Sequence, residues 1–282
     1  MTTVAQDVPD LPPEKEEQAA KRESTTADVT YEVIRRQGEH ELERETSALA
    51  WSGVAAGLSM GFSFVAMAVL RDALPDAPWA GLIERLGYSV GFLIVILGAQ
   101  QLFTENTLKA VVPVLARSSK HGLADVARVW IVVLAANMVG SLLFALLLAY
   151  TKLFDTDMQL VLLEIAREAL GEDIGTTFVR AIVAGWLIAL MVWMLPGADQ
   201  SGFLVIVVMS WLVAVAHLSH IVAGASETMF LVVRGDTSVG TWLVHFFLPT
   251  LAGNVIGGTL LVAALNHAQV VSGSQSGVTE SG

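Results

Sequence analysis

Residues 202–233 read GFLVIVVMSWLVAVAHLSHIVAGASETMFLVV, and residues 86–115 read LGYSVGFLIVILGAQQLFTENTLKAVVPVL. Each is apolar at both ends and polar in the middle. Gly87 to Gly98 is apolar, then Gln100, Gln101, Thr104, Glu105, Asn106 and Thr107 crowd together before Leu108 to Leu115 resumes. Phe203 to Ala216 is apolar, and His217, Ser219, His220, Gly224, Ser226 and Glu227 follow. A lipid-facing helix would not tolerate such clusters, because polar and ionisable side chains at depth are costly and face a cavity or a partner. Each stretch therefore reads as two half-helices around a broken backbone, with breaks at about Ala99 to Thr104 and His217 to Val222. Such breaks are tolerated only where they are buried in protein or line water.

Around them, Leu49 to Leu70, Ala124 to Tyr150, Thr176 to Leu195 and Thr241 to Leu265 each approach or exceed the roughly 20 apolar residues that cross a hydrocarbon core. With the two interrupted stretches they make an all-α membrane protein of six transmembrane helices. The interruptions fall in the second and fifth, matching places in two inverted three-helix repeats, the pattern of a channel or transporter with its site near the midplane. Composition agrees. The 282 residues are 54% hydrophobic and 15% charged, with a mean hydropathy of +0.62, whereas soluble domains are about a quarter charged.

The expected organisation is a disordered acidic tail over 1–28, a possible interfacial helix over 29–46, a transmembrane channel domain over 47–266 and a flexible C-terminal tail over 267–282. Tyr31, Ile34, Leu42, Arg35 and Arg36 suggest weak amphipathicity in the second segment; a solvated linker helix is the alternative. The tail has no apolar core of a signal peptide, so the first helix directs insertion. The net charge of −11 disfavours nucleic acid, although about half of it lies before Thr46. Cysteine is absent, which excludes disulfides and thiolate chemistry. Placing the N-terminus in the cytoplasm puts about 10 of the 16 lysines and arginines there, so cytoplasmic N- and C-termini are expected.

At the interruptions and the helices beside them the sequence resembles the formate/nitrite transporter family, over about residues 30 to 266. Leu102-Phe103-Thr104 resembles the family's loop in its broken second helix. Phe178 to Leu187, ending at Val192-Trp193, follows its fourth helix. Ser219-His220-Ile221-Val222-Ala223-Gly224 aligns with a motif usually read Glu-His-Ser-Val-Ala-Asn, and Pro249 to Gly258 with the sixth-helix pattern, where Asn254 takes the asparagine position. The resemblance implies an aquaporin-like protomer, a homopentamer with one pore per protomer and a bacterial inner-membrane location. It puts the central pore histidine on His220 between two apolar constrictions, at positions matching Tyr88, Phe92, Leu102 and Val213. Departures mark a divergent, YfdC-like branch. Gln101 stands where the family usually has an acid, Ser219 replaces a glutamate, Gly185 and Gly224 replace asparagines, and the segment Arg167 to Asp173 lacks a lysine near the outer mouth.

A small anion meets a large desolvation penalty in hydrocarbon, so its path must supply hydrogen bonds and charge or neutralise it. The second half of each broken helix begins near the midplane, where its free N–H groups favour anions. Thr104 offers a hydroxyl there, Asn254 an amide, and His220 a ring that hydrogen-bonds or relays a proton. The expected path is lined by His220, Thr104, Asn254, Gln101, Ser219, Leu102, Phe103, Tyr88, Phe92 and Val213. Glu105 and Glu227 read as caps of the second half-helices. His217 and His220 share a helical face but have no third ligand nearby, so no metal is expected. Without a nucleotide loop or a nucleophile with its base, neither an enzyme nor a cofactor is expected. The expected function is a channel or transporter for a small monovalent anion such as formate or nitrite, or for its neutral acid. A neutral-solute pore and a membrane sensor or scaffold are the alternatives.

Overall fold

The computed structural model describes residues 27–116, 120–171 and 173–269, and they are helical almost throughout. The expected tail over 1–28 falls outside the described residues except for its last two, which begin the first helix. Residues 267–269 continue the last helix, and the rest of the expected C-terminal tail lies outside.

Helix α1 (Ala27–Glu43) is followed by α2 (Thr46–Ala73), α3 (Ala80–Leu97, with a 3-10 turn over Arg85–Tyr88), α4 (Phe103–Lys109) and α5 (Val111–Leu115). Then come α6 (Leu123–Tyr150), α7 (Thr156–Leu170), α8 (Ile174–Met194), α9 (Gly202–Val215), α10 (Ile221–Arg234) and α11 (Val239–Gln269). Five of these, α2, α3, α6, α8 and α11, are long and apolar enough to cross a membrane. Their outward faces carry large apolar side chains such as Trp51, Ile131, Leu143, Val179 and Leu260, which a lipid environment accommodates.

Polar residues select which helices touch. Asn137 is fully buried in the middle of apolar α6, against α2, and Asn254 is fully buried in α11, against α8. Three residues after each stands a glycine. A Cβ on Gly140 would lie 2.3 Å from the Val54 carbonyl oxygen, and one on Gly257 would lie 2.1 Å from that of Ile182. Nothing larger than hydrogen fits, so each pair of helices crosses backbone to backbone, the contact small residues permit in membranes.

Helix α1 does not stand apart. Tyr31, Ile34 and Leu42 are buried, and Tyr31 and Ile34 pack with Leu108, Val112, Ala189, Val192 and Val262. The Tyr31 hydroxyl reaches His267 Nδ1 at 2.7 Å. The apolar face read from the sequence is thus covered by the helical bundle itself.

Candidate functional site

Two interruptions of the helical chain form the site, and they are built alike. After α3 the chain closes with Ala99 in the left-handed region (φ 49°); Gln100 N–H donates to the Val95 carbonyl at 2.9 Å and Ala99 N–H to that of Ile96 at 3.2 Å. After α9, His217 takes the same conformation (φ 51°), Leu218 N–H donates to Val213 at 2.9 Å and His217 N–H to Ala214 at 3.0 Å. This is the helix-ending motif that normally uses glycine. Residues with a side chain are strained there, and the surrounding structure must hold them.

The buried asparagines do so. Asn137 Oδ1 accepts from Phe103 N–H at 2.9 Å, while its Nδ2 donates to the carbonyls of Gly53 and Gln101, both at 2.8 Å. Asn254 Oδ1 accepts from Ile221 N–H at 2.9 Å, while its Nδ2 donates to Ala181 at 2.8 Å and Ser219 at 2.9 Å. Each amide therefore ties the first N–H of a new helix to the last carbonyl before it and to a neighbouring helix. Asn254 has both amide hydrogens committed to backbone carbonyls, so its side chain acts as a brace of the interruption. Asn137, which the sequence reading passed over, is its counterpart. The signal was present: Asn137-Met138-Val139-Gly140 repeats the spacing of Asn254-Val255-Ile256-Gly257.

Leu102 and His220 occupy equivalent N-cap positions, both extended, before α4 and α10. Leucine cannot cap; the His220 ring does, with Nδ1 accepting from Ala223 N–H at 3.2 Å. An accepting Nδ1 leaves the ring proton of the neutral imidazole on Nε2, which then donates to Thr104 Oγ1 at 2.8 Å. The Thr104 hydroxyl hydrogen stays free for another acceptor. The Phe92 ring stands edge-on to His220 with centroids 5.1 Å apart, and Tyr88 follows at 5.4 Å from Phe92.

A cavity approaches this bridge from either end of α3 and α8. One, of about 590 Å³, lies beside α1 and is bordered by Ile96, Gln101, Leu102, Glu105 and Lys109, with Arg36, His40 and Glu41 of α1 as its wall. Gln101 Nε2 donates to Glu41 Oε2 at 2.9 Å, so α1 brings a carboxylate to the position where the sequence carries glutamine. The other, of about 50 Å³, lies beside α7 and is bordered by Arg85, Tyr88, Glu168, Arg180, Ser219, His220 and Glu227. Tyr88 of the α7 cavity and Ile96 of the α1 cavity are about 12 Å apart along a helix axis. Thr104, Phe92 and Val213 are buried and border neither cavity.

Two sequence expectations change. Phe103 stacks edge-on against Trp130 of α6 and borders neither cavity, because its backbone is drawn to Asn137. Glu227 does not cap α10: it is seven residues in, nearly two turns from the helix start and beyond the first four N–H groups. Glu105 does lie in the first turn of α4 and is paired with Lys109 at 2.5 Å. The glycines at 185 and 224 gain a reason. A Cβ at Gly185 would sit 2.4 Å from the Asn254 carbonyl oxygen, and one at Gly224 would sit 2.7 Å from the Phe246 ring.

At the α7 rim, Glu168 joins Arg71 at 2.9 Å and Arg85 at 2.7 Å, and Arg71 also holds Glu84 at 2.8 Å. Burial opposes ionisation of Glu168, but the bonds from Arg71 and Arg85 outweigh it and hold the carboxyl below its ordinary range.

The family profile described as formate/nitrite transporter matches residues 28–268. The inner membrane protein YfdC of Escherichia coli K12 is 42% identical, over 85% of this chain and 77% of its own length. The formate channel FocA of Haemophilus influenzae is 25% identical, over 77% of this chain and 84% of its own. A solved pentameric formate channel with formate bound superposes with a TM-score of 0.69 at 21% identity, covering 80% of this chain and 98% of that one, which establishes likeness of fold.

Proposed function

Since the chain belongs to the formate/nitrite transporter family, we propose that it is a homopentameric membrane channel in which each protomer passes a small monovalent anion, or its neutral weak acid, between the two cavities. The α3–α4 and α9–α10 segments would each cross the membrane as one interrupted span. With α2, α6, α8 and α11 they give six spans in two inverted repeats, and the matched closures and asparagine braces support that symmetry. The termini would face the cytoplasm of a bacterial inner membrane, placing the α1 cavity inside and the α7 cavity outside.

The observation that carries the reading is the 2.8 Å contact between Thr104 and His220, each in the first turn or cap of a helix beginning at an interruption, at the closure between two cavities. Phe92, Leu102 and Val213 beside it are apolar and would exclude a hydrated ion, whereas the Thr104 hydroxyl, the ring N–H and the helix N-termini would receive a dehydrated anion or an undissociated acid. Among the described residues that would form this barrier, Phe92, Leu102, Thr104, Val213 and His220, none carries a fixed charge, which favours the neutral acid there. Gln101 and Ser219 would mark the inner and outer approaches.

Liposome flux of formate, nitrite, lactate and glycerol across a pH series tests the reading with two variants. A relay through His220 requires Nδ1 to break its cap and take a proton; a hydrogen-bonding role does not. His220→Asn keeps a donor but cannot titrate, so a relay predicts pH-independent residual flux, and a hydrogen-bonding role predicts native behaviour at every pH. His220→Phe should block the polar path. Native-like flux in both assembled variants would remove His220 from the mechanism, and glycerol passing without any anion would favour a neutral-solute pore.

A further inference from the structure

Helix α10 presents His220, Gly224 and Glu227 to the α7 cavity, the i, i+4 and i+7 positions of one helical face. About 10 Å separates the first from the last along the axis. The middle position has no side chain, and the Phe246 ring packs over it, 2.7 Å from where a Cβ would stand. Glu227 is 95% buried by its 5% exposure, and its Oε1 has no hydrogen-bond partner among the described residues. On the cavity wall, Arg85 is committed to Glu168 at 2.7 Å and lies close to Glu84. A carboxylate buried this deeply at a cavity wall, with one oxygen unpartnered, is costly, so a carboxyl in that position points to a function that uses its proton.

Resting on the channel reading above, we propose that Glu227 is the proton-binding site of the outer cavity: its protonated carboxyl hydrogen-bonds an incoming monovalent oxyanion and hands it the proton, so that the neutral acid crosses the barrier. In this step the Glu227 O–H bond breaks and an O–H bond forms on an oxygen of the anion. The negative charge passes to Glu227, which takes its next proton from water on the outer side. Arg180, exposed on the same cavity wall with no ion-pair partner among the described residues, attracts the anion toward this carboxyl. The cavity, about 50 Å³, suits an anion of a few atoms. The released acid then meets His220 and Thr104, whose hydrogen bonds need no charge.

The neighbouring elements supply the following titratable and charged groups. From α3 come Arg85 and Tyr88, from α7 Glu168, from α8 Arg180, and from the interruption His217 and His220. Helix α2 contributes Met67, with Arg71 one turn further on bound to Glu84 and Glu168. Helix α11 places Phe246 there, and α6 meets α10 through Ser141, which bonds Ser226 at 3.1 Å. Of the groups bordering the cavity, His217 is the main rival for an outer proton.

The test combines transport and spectroscopy on native protein, Glu227→Gln and Glu227→Asp. In liposomes with an internal pH dye and formate as the probe, native protein should acidify the lumen faster as the outer pH falls from 8 to 5. Glu227→Gln should be roughly tenfold slower or more at neutral outer pH, with a flattened pH slope, and Glu227→Asp should restore the slope. In the infrared, assembled protein without formate should show a titrating carboxylic acid band that Glu227→Gln removes. Native rate and slope in Glu227→Gln, or a band that survives it, would overturn the proposal. So would a slope that survives Glu227→Gln and vanishes only with His217→Gln. If native protein moves no more formate than empty liposomes, the channel reading for formate fails, and the infrared band alone decides whether Glu227 holds a proton.

Discussion

Replacing Asn254 by alanine removes three hydrogen bonds at once and strands the Ile221 N–H and the carbonyls of Ala181 and Ser219. A polar contact inside a membrane protein contributes on average about 0.6 kcal/mol, and in soluble proteins up to about 1.5 kcal/mol, so three of them put the cost at about 2 to 4.5 kcal/mol. For a chain of this length that lowers the unfolding midpoint by roughly 4 to 18 °C. Tryptophan fluorescence during heating of the detergent-solubilised protein measures it. Asn137→Ala breaks the equivalent three bonds and should cost the same within error, which makes each variant a control for the other. Asn254→Asp keeps the acceptor for Ile221 but turns an oxygen toward two carbonyl oxygens, and should be at least as damaging. If Asn254→Ala and Asn137→Ala both unfold within a degree of the native protein, the asparagines do not brace the interruptions and the argument from matched geometry fails.

Phe92→Ala empties the space between His220 and Tyr88; the lactate-to-formate flux ratio in liposomes should rise, and an unchanged ratio would show that the ring does not filter. At the α7 rim, the depressed folded-state titration of Glu168 means that its contribution to stability is complete above the ordinary glutamate range of about 4.3 and is lost as pH falls through the lowered value. Heating the protein over pH 8 to 3 should give a stability plateau above about pH 5 and a decline below about pH 4, and Glu168→Gln should shrink that decline; an identical acid limb in the variant would assign it to other carboxyls.

Polar residues clustered inside apolar runs are legible in one dimension because hydrocarbon cannot hydrate them, so the sequence alone yielded the membrane class and breaks at about Ala99 to Thr104 and His217 to Val222, where the described helices stop at Leu97 and Val215 and restart at Phe103 and Ile221. The resemblance pointed to His220 as the residue to watch. Which atoms meet was another matter. The Thr104–His220 contact joins residues 116 apart in the chain, and the commitment of Asn254 to three backbone groups depends on where α8 and α10 lie against α11. Sequence proximity to a break says nothing about the direction a side chain takes, and only the packed structure turns Phe103 toward Trp130 and Asn254 toward Ala181 and Ser219. Asn137 was passed over although its spacing to Gly140 was in view, because one asparagine in an apolar helix acquires meaning only beside the loop it braces. Glu227 read as a cap by its place after the second interruption, but helix geometry carried it nearly two turns from the helix start and into a cavity wall. Solvent chemistry acts on each residue separately and so is written in the sequence; hydrogen-bond partners are set by distances between helices, and only the packed structure fixes those.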